Sequence, residues 1–422
     1  MHSNRRPRIA AAFHGPQYCL GVADLVTYTG QPQPQPKTRF RTFGHRAQLE
    51  IVRHLAVSAD GQHIVAAGIG LEVRSWRCAL VGDTEAWEAG ARFVLTEDER
   101  SPVCWLSILG LHVSPGGTVV VVRSDGLVEW WPLHAGDEEM RTRTRISGSP
   151  LTCAVITPAW IVGGHWDGSV RLCAAGIDVC GAGEVTLGQA VVAPLPAAQP
   201  PPSRECAPAP RLSDAYHCVR ALALSEDGSL LFAGGMDNVV RVWSTSKIAG
   251  AGRIHHVGDL PGTDASQSIL SLAQCGPYLA AGCTVGVLVW RREGGPCAWS
   301  LVRRSDRDGD DVYTCLLTSV RLYECAQTRE YHLVTAGPHQ RCRTSVWSAE
   351  TGRLLGEDAG PGFCATALAL LPPAVTHAEA LQAIEDISLA TGLLPDVSEI
   401  VYKFLNRDHA DAHLALDYYA QT

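Results

Sequence analysis

The chain has 422 residues, 46% of them apolar, enough for a sizeable core in one large domain or two ordinary ones. Only 18% are charged, while Gly (41) and Pro (25) are plentiful, a mixture that suits an all-β chain with many tight turns. The formal charge of −8 argues against nucleic acid as a partner, because neutralising phosphates takes a basic surface.

Charge is unevenly placed. Residues 1–46 carry Arg5, Arg6, Arg8, Lys37, Arg39, Arg41 and Arg46 against Asp24 alone. Lys37, Lys247 and Lys403 are the only lysines, so arginine supplies nearly all the positive charge. The 15 cysteines are an odd number, scattered through apolar stretches and without a C-x-x-C pair. They read as reduced thiols serving as small core residues, in an intracellular setting of cytoplasm or nucleus. No apolar run reaches the roughly 18 residues that a membrane helix needs, so no membrane insertion is expected. The Arg-bearing start would also suit a mitochondrial presequence, but its apolar run Ile9 to Phe13 reads better as a strand.

In chain order, three strands are expected first, at 8–13 (RIAAAF), 17–22 (QYCLGV) and 25–29 (LVTYT). The loop QPQPQP (31–36) follows. Six segments then read alike when aligned on one position: HIVAAGIGLEVRSW to Trp76, TVVVVRSDGLVEWW to Trp131, WIVGGHWDGSVRLC to Cys173, LLFAGGMDNVVRVW to Trp243, YLAAGCTVGVLVW to Trp290 and HLVTAGPHQRCRTSVW to Trp347. Each is an apolar run, a polar or Gly-bearing turn and a second run closing on the aligned position, which is a β-hairpin with both strands in a packed layer. An alternating strand usually precedes each hairpin, and three of these end in Ser58-Ala-Asp-Gly61, Ser114-Pro-Gly-Gly117 and Ser225-Glu-Asp-Gly228. A more polar fourth strand follows, as in 91–96 and 141–146. In the latter Arg141, Arg143 and Arg145 alternate with Thr along one face, a solubilising outer face or a docking patch for an acidic partner.

Four strands per unit at spacings of 42 to 70 residues is the period of a β-propeller. The longest spacing contains 193–212, with seven prolines, which reads as a disordered insertion. The terminal strand CATALALL (364–371) can pair with those at the N-terminus, closing the ring and removing its edges. Seven four-stranded blades over residues 1–371 are therefore expected. After Pro372 the period changes: in the stretch 376–422, Val397, Ile400, Val401, Phe404 and Leu405 form one helical stripe that packs on the propeller or on a partner.

These segments resemble the WD-repeat family over most of residues 44–371. Gly44-His45 with Ser75-Trp76 matches its opening and closing signature, and Asp125, Asp167 and Asp237 stand six residues before the aligned position, where that family places a turn aspartate. The resemblance is divergent: no aligned Trp precedes Asp, and one unit ends on Cys173. It implies that the Trp and Asp positions and His45 hold blades together.

No catalytic constellation survives. G-x-S-x-G, the P-loop and H-E-x-x-H are missing. Asp306, Asp308 and Asp310 lack the Gly and Glu that complete a calcium loop, and read as a solvated acidic loop. Neither an enzymatic activity nor a metal or cofactor is expected. The expected function is a non-catalytic scaffold or adaptor holding other proteins in a multi-subunit complex. The alternative is a ubiquitin-ligase substrate receptor, because LPDVSEIVYKFL resembles the start of an F-box and 380–389 faintly resembles a SOCS-box helix.

Overall fold

The computed structural model describes residues 8–14, 19–24, 41–43, 52–68, 71–81, 84–95, 106–133 without 115, 142–177 without 149 and 167, 185–187, 191–193, 218–245, 255–260, 268–304 without 285, 296 and 297, 319–336 without 326 and 327, 344–358, and 364–371. The chain divides after Pro372 into two units, and all described residues lie in the first. The stripe from Val397 to Leu405 lies outside them.

Seven antiparallel sheets form seven blades. Blade 1 runs outward from Cys364–Leu371 through Arg8–His14 and Cys19–Asp24 to Arg41–Phe43, so one end of the chain supplies its innermost strand and the other supplies the rest. Blades 2 and 3 begin at Val52–Val57 and Ile108–Val113, blade 4 at Leu151–Ile156, and blades 5, 6 and 7 at Val219–Leu224, Ile269–Cys275 and Ser319–Glu324. Each innermost strand contacts the next, and that of blade 7 contacts that of blade 1, so the ring closes. In blade 4 the outer strand is split: Val185–Leu187 and Val191–Ala193 pair different halves of Val170–Ile177. Ala193 is thus still strand, one residue into the stretch read from the sequence as insertion.

The second strand of a blade lies between two others, and its neighbours above and below are other blades. That explains the near-continuous apolar runs: His63–Gly68, Thr118–Arg123, Leu230–Gly235 and Tyr278–Cys283 are buried at every residue. Seven apolar clusters fill the seven gaps between adjacent blades. Glycines in these strands let the next blade approach. A Cβ on Gly164 would lie 2.7 Å from Val219 Cγ1, and one on Gly234 2.6 Å from Ile269 Cγ2.

The Ser-initiated turns join the first strand to the second. In blade 3, Ser114 Oγ accepts from Thr118 N at 2.9 Å, Gly117 N donates to Ser114 O at 2.9 Å, and Gly117 takes φ 78°, which a side chain resists. Ser225 and Gly228 repeat this in blade 5.

The aligned position has one structural meaning. Trp76, Trp131, Cys173, Trp243, Trp290 and Trp347 each lie on the third strand opposite an apolar residue of the second and pack toward the preceding blade. In blade 1 the same place, opposite Ile9, is held by Ala23. The strand expected at 25–29 lies outside the described residues, and the outermost strand of blade 1 is Arg41–Phe43, paired with Leu20–Val22. Burial decides this. Phe43 is enclosed between Trp76 and Trp87, with ring centroids at 6.3 and 5.1 Å.

Candidate docking site at the mouth of the axial channel

The innermost strands begin at one end of the ring, where the turns between second and third strands also lie. There each of blades 1 to 6 carries a β-bulge with one extra residue: Thr366, Arg53, Leu109, Thr152, Arg220 and Leu270. A bulged residue leaves the ladder and its side chain is re-aimed. Thr366 and Thr152 turn toward the next blade and Leu109 packs between blades 3 and 4, whereas Arg53 and Arg220 are left exposed at the mouth of the channel.

The bulge also turns a backbone carbonyl out of the ladder, and the previous blade satisfies it. Thr366 Oγ1 of blade 1 donates to Val52 O of blade 2 at 2.7 Å, and Thr152 Oγ1 of blade 4 donates to Val219 O of blade 5 at 2.5 Å. His54 of blade 2 reaches the backbone of Ile108 in blade 3. The three acceptors occupy the same register position, so one geometry joins neighbouring blades three times.

Positive charge collects at this mouth. Arg53 and Arg220 are exposed, and Arg321 sits half-buried on the innermost strand of blade 7 with Nη1 donating to Val320 O at 2.8 Å. Burial pushes the His54 imidazole down to about 4, and Arg53 and then Arg321 push it the same way, against the Ile108 backbone. Arg321 of blade 7 thus acts on His54 of blade 2 although blade 1 stands between them. His54 is neutral at physiological pH, as is His112 of blade 3, which burial also lowers to about 4.

Beside the arginines stand apolar groups. Trp166, in the turn of blade 4, is 53% exposed, the most of any large apolar side chain among the described residues. Met236 holds the same turn position in blade 5, and its sulfur lies 3.6 Å from Arg220 Nη2.

The turn aspartates belong to the blades. Asp125 accepts from Leu127 N at 3.2 Å and from Arg123 Nη2 at 2.9 Å, both ionic groups being buried. Arg123 Nη1 also reaches Glu129 Oε1 at 2.7 Å. Asp237 is bonded to Arg241, four residues on. The predicted outer-strand arginines do not act alike: Arg143 is exposed opposite Glu129, whereas Arg145 folds back to donate to Asp125 O at 2.5 Å. His45, Asp167 and Arg141 lie outside the described residues. So do Asp306, Asp308 and Asp310. His256 pairs with Asp259 at 2.9 Å.

Sequence reasoning passed over Arg53, Arg220 and Arg321. Their signal was present: VRHLAV, VRALAL and SVRLYE each place an arginine inside an alternating apolar strand, where the hydrophobic pattern gives it no reason to be.

A family model described as WD domain, G-beta repeat matches residues 212–244, which span the first three strands of blade 5 to the aligned Trp243. Blade 5 thus carries a WD repeat, within a chain that folds as a seven-bladed β-propeller. Solved structures similar to it include a putative 6-phosphogluconolactonase from Bacteroides fragilis NCTC 9343, at 12% identity and TM-score 0.56, over 88% of this chain and 99% of that one. Another is the WD40 beta propeller domain of Doa1, at 12% identity and TM-score 0.49, over 81% and 88% of the two chains. Such identities speak to the fold alone. No curated protein sequence matches the chain. Among the described residues, no helix is long and apolar enough to cross a membrane.

Proposed function

We propose that this β-propeller, with its WD repeat in blade 5, is a non-catalytic scaffold that holds partner proteins on the face of the ring where the innermost strands begin. WD-repeat propellers typically serve as interaction scaffolds and are generally without catalytic activity. The observation that carries the reading here is Trp166. A large aromatic group more than half exposed in a turn, with Met236 at the same turn position of the next blade beside Arg220, has the composition of the residues that dominate protein interfaces. The rigid ring holds these groups in place, so little ordering entropy is lost on binding. The described cysteines are free thiols, which suits a reducing cytoplasm or nucleus.

Affinity purification with mass spectrometry tests the reading on the intact chain, on Trp166→Ala and on a chain ending at Pro373. Loss of a defined set of partners with Trp166→Ala, at unchanged thermal stability, is the expected result. Identical partners from the intact and Trp166→Ala chains would sink the assignment of this face. Partners lost only on truncation would move the docking function to residues 376–422.

A further inference from the structure

We propose that the mouth of the axial channel receives an acidic segment, rich in Asp and Glu, of a partner protein. The inference deepens the scaffold reading and rests on it.

Three observations carry it. First, charge is distributed against the trend of the whole molecule. The chain is net −8, yet its innermost strands bring Arg53, Arg220 and Arg321 to the channel. Secondly, no described carboxylate pairs with these cations. In the turns between second and third strands, and where the third strands start, the described carboxylates already hold arginines of their own blades. Asp125 holds Arg123, Asp237 holds Arg241, and Glu72 holds Arg74 and Arg92. The ion pairs among the described residues include none made by Arg53, Arg220 or Arg321. Thirdly, a partly enclosed channel strengthens electrostatics. The Arg321 guanidinium is pushed below the usual arginine range by burial, so an entering anion relieves a desolvated cation.

The spacing favours a chain of carboxylates over one compact anion. The arginines come from blades 2, 5 and 7, separated around the ring, so a single phosphate cannot chelate all three, whereas successive carboxylates of an extended segment can each meet one. Met236 of Arg220's own blade and Trp166 of the neighbouring blade 4 would take an apolar residue next to the acidic run.

The test is fluorescence anisotropy on the full chain. The probe is a fluorescein-labelled twelve-residue Asp/Glu peptide with one Phe, beside its Asn/Gln counterpart and a peptide carrying one phosphoserine. Expected are saturable binding of the acidic peptide and none of the amide peptide, affinity falling as salt rises, and at least tenfold weaker binding by Arg53→Glu/Arg220→Glu. Both substitutions are at exposed positions, and an unchanged melting temperature verifies the fold. Tight binding of the phosphoserine peptide alone would overturn the proposal, as would equal binding by the double variant or no binding of the acidic peptide. Partners that depend on Trp166 but survive Arg53→Glu/Arg220→Glu would overturn the acidic segment and leave the scaffold reading intact.

Discussion

Arg123 and Glu129 meet at 2.7 Å inside blade 3, with both side chains shut off from solvent. Arg123 comes from the end of the second strand and Glu129 from the third, and Asp125 in the turn between them takes the other Nη of the same guanidinium. Arg145 approaches Asp125 from the outer strand at 3.9 Å, so two cations balance two carboxylates.

Removing one member of such a network costs more than removing the set, because it strands a buried charge. Arg123→Met leaves Asp125 and Glu129 facing each other and should lower stability by about 3–5 kcal/mol. Glu129→Gln keeps the shape and leaves Arg123 its bond to Asp125, so it should cost clearly less. The double variant Arg123→Met/Glu129→Leu should be more stable than Arg123→Met alone. Urea unfolding followed by tryptophan fluorescence measures all three, and strict additivity of the two sites would refute a coupled network.

The aligned position offers a second comparison. Trp243 and Trp290 are buried in the gaps between blades, and truncation of either to Ala should cost about 3–5 kcal/mol through lost burial and the cavity left behind. Cys173 holds the same place with a far smaller side chain, so Cys173→Ala should cost about 1 kcal/mol, little more than one buried group. Equal losses at Cys173 and Trp243 in thermal melts would contradict the shared role.

Much of this architecture was legible in the residues, for a physical reason. A second strand enclosed on both faces must be apolar throughout, and a turn with positive φ wants glycine, so VVVV before Ser124 and Gly at 61, 117 and 228 announce hairpins directly. Blade 1 was harder to read. Its aligned position is Ala23, which carries no signature, and its outer strand is three residues long and lies beyond a proline-rich stretch. The docking site was least legible. Arg53 and Arg220 matter because a bulge swings each to the channel mouth, and the register slip behind that bulge leaves no mark in the sequence. Nothing in the sequence sets Trp166 apart as a docking group, and only its exposure shows it to be a surface side chain.

The carbonyl clasps between blades separate shape from hydrogen bonding. Thr152→Val and Thr366→Val keep the volume but leave Val219 O only the weak Cys153 and Cys218 thiol donors and take from Val52 O its hydroxyl donor, at a cost of about 1–3 kcal/mol each. Thr→Ser at either site restores the hydroxyl and should recover most of it. Hydrogen exchange adds a local readout: Thr152→Val should speed exchange at the start of blade 5's inner strand and leave blade 2 unchanged. Uniform acceleration round the ring would argue against a local clasp.

Acid should weaken the ring through the imidazoles of His54 and His112. His54 and His112 titrate at 6.5 when unfolded and at about 4 when folded, because burial, and for His54 also Arg53 and Arg321, oppose a second positive charge. Below 6.5 the unfolded chain binds protons that the folded one refuses, so stability is full above pH 6.5 and falls as the pH drops toward 4. Each histidine accounts for up to about 3 kcal/mol of that loss. Asp227 adds a separate decline at lower pH. Hydrogen bonds from Ser225 and Ser229 hold it at about 2, so its contribution fades only below its ordinary value of 3.8. Melting temperatures between pH 7.5 and 4.5 should therefore fall for the native chain and fall less for His54→Gln/His112→Gln. If the two curves ran parallel across that range, the histidines would not be the groups that take up the protons.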